Sequence, residues 1–303
     1  MKARREKRRN PDVRAAAADR NSDSKTLTTL DRVLSRFGIA SRAAAREAIR
    51  AGRLKVNGKI VRNPECWVRP DREAIHLDGQ RLKPARKVYI AFYKPNGVIT
   101  SHGDPQGRKT VYDFLHGHSS SNVSASSKFP AQWIFPVGRL DQDSSGLLLL
   151  TNDTAFADFV ASPESRIPKT YQVKVNGILP DDVIERLSAG VEMKRGDWAR
   201  PLSVRRIEDR GKYTRLEVTL AEGKNREVRR MLEAVGFKAL KLVRTQIGPL
   251  TLEGLEVGKW RALRPDEAAS MVPRRRDPRG RRWAGTRPAP TRPRTESPQI
   301  RAD

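Results

Sequence analysis

The chain has 303 residues, of which 37% are hydrophobic and 32% charged, and its formal net charge at pH 7 is +26. A pI near 10.9 lies far beyond what solubility needs and calls for a polyanionic partner, nucleic acid before an anionic membrane. No apolar run approaches the roughly eighteen residues of a membrane span. The single cysteine, Cys66, allows no internal disulfide and fits a reducing cytoplasm.

Residues 1–26 hold Lys, Arg, Ala, Asp and Ser with hardly any large apolar side chains, so they read as a disordered basic arm. Its start, MKARREKRRN, is followed by no apolar segment and so does not read as a secretory signal. A first folded unit spans 27–86. In "TTLDRVLSRFGIASRAAAREAIRAGRLKVNGKIV", Thr28 or Thr29 caps a helix with Leu30, Val33, Leu34 and Phe37 at helical spacing, and Gly38 stops it. Ser41 caps a second helix, which carries Ala45, Ile49 and Leu54 inward. Asn57-Gly58 marks a two-residue hairpin. Arg42, Arg46 and Arg50 recur every four residues and stack on one helix face with only Glu47 nearby, which suits phosphate binding better than idle like-charge repulsion.

A second unit covers 87–268. "KVYIAFYKPNGVITS" is a strand ending in a turn, "TVYDFL" a short helical stretch, and "HGHSSSNVSASSKFP" a flexible insertion. The His116-Gly117-His118 pair within it reads as a solvated loop, and no metal site is expected. "DTAFADFVAS" reads as a helix with Phe156, Phe159 and Val160 inward. "KTYQVKVNG", "YTRLEVTL" and "LKLVRTQIGPL" alternate at period two as half-buried antiparallel strands, and "DDVIERLSAGV" and "NREVRRMLEAVGF" are helices. Helices and strands mix without a regular βαβ rhythm, so the fold class is α+β. From 269 the chain is assigned to a disordered tail, dense in Arg and Pro after Pro273, that adds phosphate affinity without base choice. GxGxxG, GxxxxGK[ST] and GxSxG motifs are all absent.

The chemistry concentrates in "GRLDQDSSGLLLLTND", Gly138 to Asp153. Asp, Ser and Gly make turns, but "WIFPV" before the loop and "LLLL" after it pin both its ends. A carboxylate in that loop is partly desolvated and needs a cation to stay ionised and nucleophilic. Arg139 or the "GKNREVRRML" segment can supply one.

Two resemblances follow from these motifs. Residues 28 to 75, with the "SR…A…I..G.+.VNG" register and hairpin, resemble the S-four-type (alpha-L) RNA-binding domain, which implies contact with structured RNA through Arg42, Arg46 and Arg50. "GRLDxxSSGLLLLTND", "YKPNGVITS", "KTYQVKV" and "EGKNREVRRMLEAVGF", in that overall set, resemble the RsuA/RluB branch of the pseudouridine synthases. That resemblance implies a small RNA-binding domain followed by a catalytic domain on a mainly antiparallel mixed sheet flanked by helices. It implies isomerisation of uridine to pseudouridine in ribosomal RNA, redox-neutral and without cofactor or metal. Asp141 matches the catalytic carboxylate, Tyr171 the aromatic that stacks on the target uracil, and Arg229 the arginine that pairs with the aspartate. Arg139 matches a residue that enters the RNA or holds the place of the flipped nucleotide, and Lys94 and Asn225 are implied contacts to phosphate or loop. Asp143 receives no role. The helix "NREVRRMLEAVGF" and the basic tail lean toward large-subunit 23S rRNA over 16S rRNA. Ribosomal RNA or an assembly intermediate is the expected partner, with no membrane, for a cytoplasmic monomer. Two alternatives remain at this point: a catalytically silent RNA-binding or assembly factor, and a hydrolase pairing Asp141 with Asp143. Two carboxylates one residue apart are poorly placed to face each other across a substrate.

Overall fold

The computed structural model describes residues 27–115 and 133–272. The 1–26 arm, the His116–His118 pair with the serine-rich insertion, and the tail from Pro273 lie outside the described residues.

The first unit opens with β1 (Thr28–Thr29), α1 (Leu30–Arg36) and α2 (Arg42–Arg50). Gly38 turns the chain between the helices at φ +68°, a conformation that costs a side chain strain. The Ser41 hydroxyl accepts the Ala44 amide at 3.1 Å and so starts α2. β2 (Leu54–Val56) and β3 (Lys59–Val61) form the hairpin, with Asn57 and Gly58 both left-handed as a type I′ turn demands. After β4 (Trp67–Val68), which pairs with β1, come β5 (Ile75–Leu77) and β6 (Gln80–Arg81). The resulting sheet has the order β3-β2-β5-β6. Leu30, Val33, Leu34, Ala45, Ile49, Leu54, Val68 and Ile75 close its core.

The second unit is built on one large sheet. β7 (Tyr89–Lys94), β8 (Phe135–Val137) and β9 (Ser145–Thr151) lead to α3 (Thr154–Ala161). β10 (Lys169–Val175), α4 (Asp181–Ala189) and the short hairpin of β11 (Val191–Glu192) and β12 (Trp198–Ala199) follow. β13 (Ser203–Arg210), which the sequence pattern did not reveal, and β14 (Tyr213–Leu220) precede α5 (Glu227–Ala234). β15 (Ala239–Ile247), β16 (Leu250–Thr251), β17 (Trp260–Ala262) and α6 (Pro265–Ser270) complete the unit. The "TVYDFL" stretch is a 3₁₀ turn over Val111–Phe114, capped by the Thr110 hydroxyl.

The main strand order is β13-β14-β10-β15-β9-β7-β17, antiparallel throughout except where β9 meets β15. All seven residues of β9 are buried. Leu148 and Leu150 join one core while Leu147 and Leu149 join the other, which explains an unbroken apolar run in a period-two element: both faces are covered. Each leucine contributes about 2 kcal/mol by burial alone, an upper estimate. α6 continues to Ser270 and Met271 is 3% exposed in the second core, so the folded part runs past the 268 boundary expected from composition. The apolar Ala268 and Met271 had too little sequence around them to stand out beside an Arg-rich tail.

β15 is the seam. Pairing aligns Lys94 with Gly146, Gly146 with Arg244, Arg244 with Tyr171, and Tyr171 with Val218, a row that crosses five strands. Gly146, at φ +115°, is essential to it: a Cβ there would enter the Arg244 backbone.

Candidate active site

Residues 138–144 form a loop above that row. Gly138 turns at φ +72° and Ser144 donates its amide to the Asp141 carbonyl at 3.1 Å. The turn after β7 holds the loop from one side. The Gly97 amide donates to Gln142 O at 2.8 Å, and the Thr100 hydroxyl donates to Leu140 O at 2.8 Å. Leu140 is buried beneath, so Asp141 emerges from an anchored backbone with its side chain 28% exposed.

α5 closes the other side. Arg226 caps it in a left-handed conformation (φ 48°, ψ 33°), which turns its guanidinium back over the loop. Its Nη1 and Nη2 donate to the two Asp143 oxygens at 3.1 Å each, and Nη1 lies 3.5 Å from Asp141 Oδ2. One helical turn later, Arg229 is buried. It donates to Ala239 O at 2.9 Å and Asp143 O at 2.8 Å and lies 3.2 Å from Asp143 Oδ2. Partial burial alone would raise the Asp143 carboxyl, but the Arg226 hydrogen bonds and the charges of both arginines outweigh it and hold it below its ordinary value.

The Arg229–Asp141 pairing implied by the resemblance is therefore not what the structure shows: Arg229 binds Asp143, and Arg226 is the cation at Asp141. Motif spacing alone missed Arg226, although a residue three before Arg229 shares its helix face. Asp143 could have been found as the next alternate position to Asp141 in the turn.

Lys94 also moves. It is wholly buried, with Nζ donating to Ser144 O at 2.7 Å and Pro95 O at 3.0 Å, so it props the loop from below instead of meeting phosphate at the surface. Strand alternation carries the reason: Ile90, Phe92 and Lys94 share the inward face. Burial pushes its pKa down to about 8 against the pull of Asp141 and Asp143. Lys169, also depressed by burial and then by Arg244, flanks the same floor. Arg244 is buried; its Nε donates to Leu147 O at 2.7 Å.

Tyr171 lies on β10, 8% exposed in the larger core and beside Arg244 in the row. Arg139 and Asn225 are exposed, the first in the loop and the second in the turn before α5. In the first unit Arg50 is exposed, whereas Arg42 and Arg46 are not left to Glu47. Both bind Asp31 Oδ2, at 2.9 and 3.0 Å, and Asp31 is 1% exposed. Helix-on-helix packing supplies that carboxylate from α1, which no pattern on α2 alone discloses. The two arginine side chains remain 50% and 41% exposed, so the face is still cationic to solvent. Among the described residues no group of three or more His, Cys, Asp or Glu could hold a metal ion, and no helix could cross a membrane.

The second unit thus holds an anchored carboxylate flanked by arginines, and the first unit carries an arginine face open to solvent. The profile of RNA pseudouridylate synthases matches residues 88–234, and that of the S4 domain matches 28–71. The ribosomal large subunit pseudouridine synthase B of Bacillus subtilis is 40% identical over 243 residues, 80% of this chain and 94% of the relative. An RNA pseudouridine synthase of Aquifex aeolicus is 38% identical, covering 82% of this chain and 98% of its own length. The crystal structure of a pseudouridylate synthase superposes with a TM-score of 0.56 at 27% identity, over 80% of this chain and 99% of that one. The chain belongs to the RNA pseudouridylate synthase family.

Proposed function

We propose that this enzyme converts one uridine of ribosomal RNA to pseudouridine, in large-subunit 23S rRNA rather than 16S rRNA, with Asp141 as the reacting carboxylate. The observation that carries this reading is Asp141 itself: an anchored, partly exposed carboxylate with an arginine 3.5 Å away. The bond between C1′ and N1 breaks, a bond from C1′ to C5 forms, and the C5 proton leaves while N1 gains one, so the formula is unchanged. Asp141 attends the sugar or base as that bond breaks. Tyr171 stacks on the uracil, Arg229 orders the loop through Asp143, and Arg139 holds the strand from which the base is drawn. Arg42, Arg46 and Arg50 contact the RNA at the first unit, and Asn225 contacts it beside α5. The 23S choice is supported by the large-subunit name of the Bacillus subtilis relative. The protein works as a cytoplasmic monomer with no cofactor, and the division into a first unit over 27–86 and a second from 87 to the end of the folded part near 271 separates RNA docking from chemistry.

Carbodiimide mapping of ribosomal RNA tests the reading in cells with the intact gene, a deletion, or Asp141→Asn. One primer-extension stop in 23S rRNA, lost in both altered strains, is the expected result. Loss in 16S rRNA corrects the subunit. A stop lost on deletion but kept by Asp141→Asn removes the assigned carboxylate, and a full set of stops after deletion removes the ribosomal RNA assignment.

A further inference from the structure

The β11–β12 hairpin carries a side chain the chemistry above does not use. Trp198 is 56% exposed, an unusual position for a large aromatic. One side of its ring is nonetheless fixed. Gly190 turns at φ +108°, and a Cβ on it would come within 3.0 Å of the indole Cζ2 and Nε1, so the ring lies against bare backbone. The chain below is fixed too. Glu192 pairs with Trp198 and Val191 with Ala199, and Asp197 forms an ion pair with Arg230 of α5. The Lys224 ammonium donates to the Trp198 carbonyl at 2.9 Å. Lys224 is only two residues from Arg226, whose guanidinium reaches Asp141, so the strand that carries this indole is tied to the turn that bears the Asp141 cation.

A rigid aromatic, backed on one side, open on the other and set among Lys224 and Arg230, has the makings of a surface for a nucleobase. Cations track the phosphates while the ring takes a base face. An interface with an apolar protein partner is depleted in lysine at its centre, which disfavours that occupant. We propose that Trp198 is a stacking platform for a base of the RNA flanking the target uridine, and so a specificity contact beyond the reacting nucleotide. This rests on the RNA-modifying reading above.

The full-length protein is compared with Trp198→Ala and Trp198→Phe. The probes are in-vitro transcribed 23S rRNA and eight-nucleotide oligo(rA) and oligo(rU). Trp198→Ala is expected to weaken binding of transcript roughly 5- to 100-fold, the span of base–aromatic stacking. KM rises while kcat changes little, Trp198→Phe keeps most of the affinity, and the salt dependence keeps its slope because no phosphate contact is lost. Oligo(rA) should quench indole fluorescence of the intact protein more than that of Trp198→Phe. The proposal is overturned if the intact enzyme modifies the transcript and Trp198→Ala does so with unchanged KM and affinity. A changed salt slope overturns it as well, by exposing an electrostatic role. An intact enzyme inactive on the 23S transcript refutes the large-subunit reading instead, and the oligonucleotide quenching then decides the stacking by itself. Trp198 is exposed, so unfolding of the variants, checked by thermal melts, is not expected.

Discussion

Asp143→Asn tests the division of labour between the two aspartates. The substitution keeps shape and removes a charge that holds two arginines. At 3.2 Å the Arg229–Asp143 attraction is gross about 5 kcal/mol for an effective dielectric near 20. Desolvation of the buried arginine and water around a carboxylate 47% exposed leave a net effect on the order of 1 kcal/mol. The Arg226 pair, exposed on both partners, adds about 0.5–1 kcal/mol. A total near 2 kcal/mol lowers Tm by about 4–8 °C for a folded part of this size. The larger effect is on rate. In the native enzyme both arms of Arg226 are spent on Asp143, and Asp141 has only the 3.5 Å contact. With Asn at 143, Arg226 closes fully on Asp141, and, on the proposed role of Asp141, a charge-assisted bond of about 1.5–3 kcal/mol must open before reaction. Single-turnover pseudouridine formation should fall roughly 10- to 100-fold, with RNA affinity within about three-fold. Adding Arg226→Gln should restore part of the rate. A wild-type rate in Asp143→Asn, or a double variant slower than the single one, would refute this reasoning.

Three further outcomes follow from other parts of the molecule. Gly146→Ala forces a Cβ into the Arg244 backbone at the β9–β15 junction and should cost about 3 kcal/mol or more; a urea midpoint near wild type contradicts it. Asp31→Asn withdraws the buried charge shared by Arg42 and Arg46 and should lower stability by about 1–3 kcal/mol. The Thr29, Arg42 and Arg46 hydrogen bonds hold the Asp31 pKa low despite burial, so the lost stability should be present above the ordinary carboxylate range and fade as pH falls through it. Burial lowers Lys94 from 10.5 to about 8, so the native state releases that proton first: between about 8 and 10.5 the unfolded chain binds more protons, and stability from this group rises with pH. Activity should move the opposite way, with kcat/KM falling above about pH 8 as the ammonium under the loop loses its charge; a flat alkaline profile contradicts the propping role.

Much of this architecture was legible in residue order. The alternation in "KTYQVKV" returned a strand with Tyr171, Val173 and Val175 inward, and Asn57-Gly58 returned its hairpin. The leucine run marked a buried segment pinning the loop, and the structure makes it a strand covered on both faces. What could not be read was pairing across long separations. Arg229 and Asp143 are 86 residues apart, and Asp31 reaches Arg46 over 15, so the partner of each charge depends on packing that local periodicity does not encode. Lys94 is instructive in the other direction: of the two contacts expected of it, phosphate or loop, its inward face beside Ile90 and Phe92 gives the loop.

The position of β15 bears on how the enzyme is made. β9, β7 and β17 form one side of the sheet and β10, β14 and β13 the other, and β15 alone lies between them. As the chain is synthesised, the two halves share no ladder until residues 239–247 are available, and β7 waits for β17, at 260–262, to cover its edge. Asp141 lies just before one half and Tyr171 within the other. A nascent chain short of β15 thus carries Asp141 and Tyr171 on separate pieces, and the catalytic unit can close its sheet only after residues 239–247 have emerged. Long-range strand insertion delays folding, and here the same delay keeps the site unassembled on the ribosome that is making it.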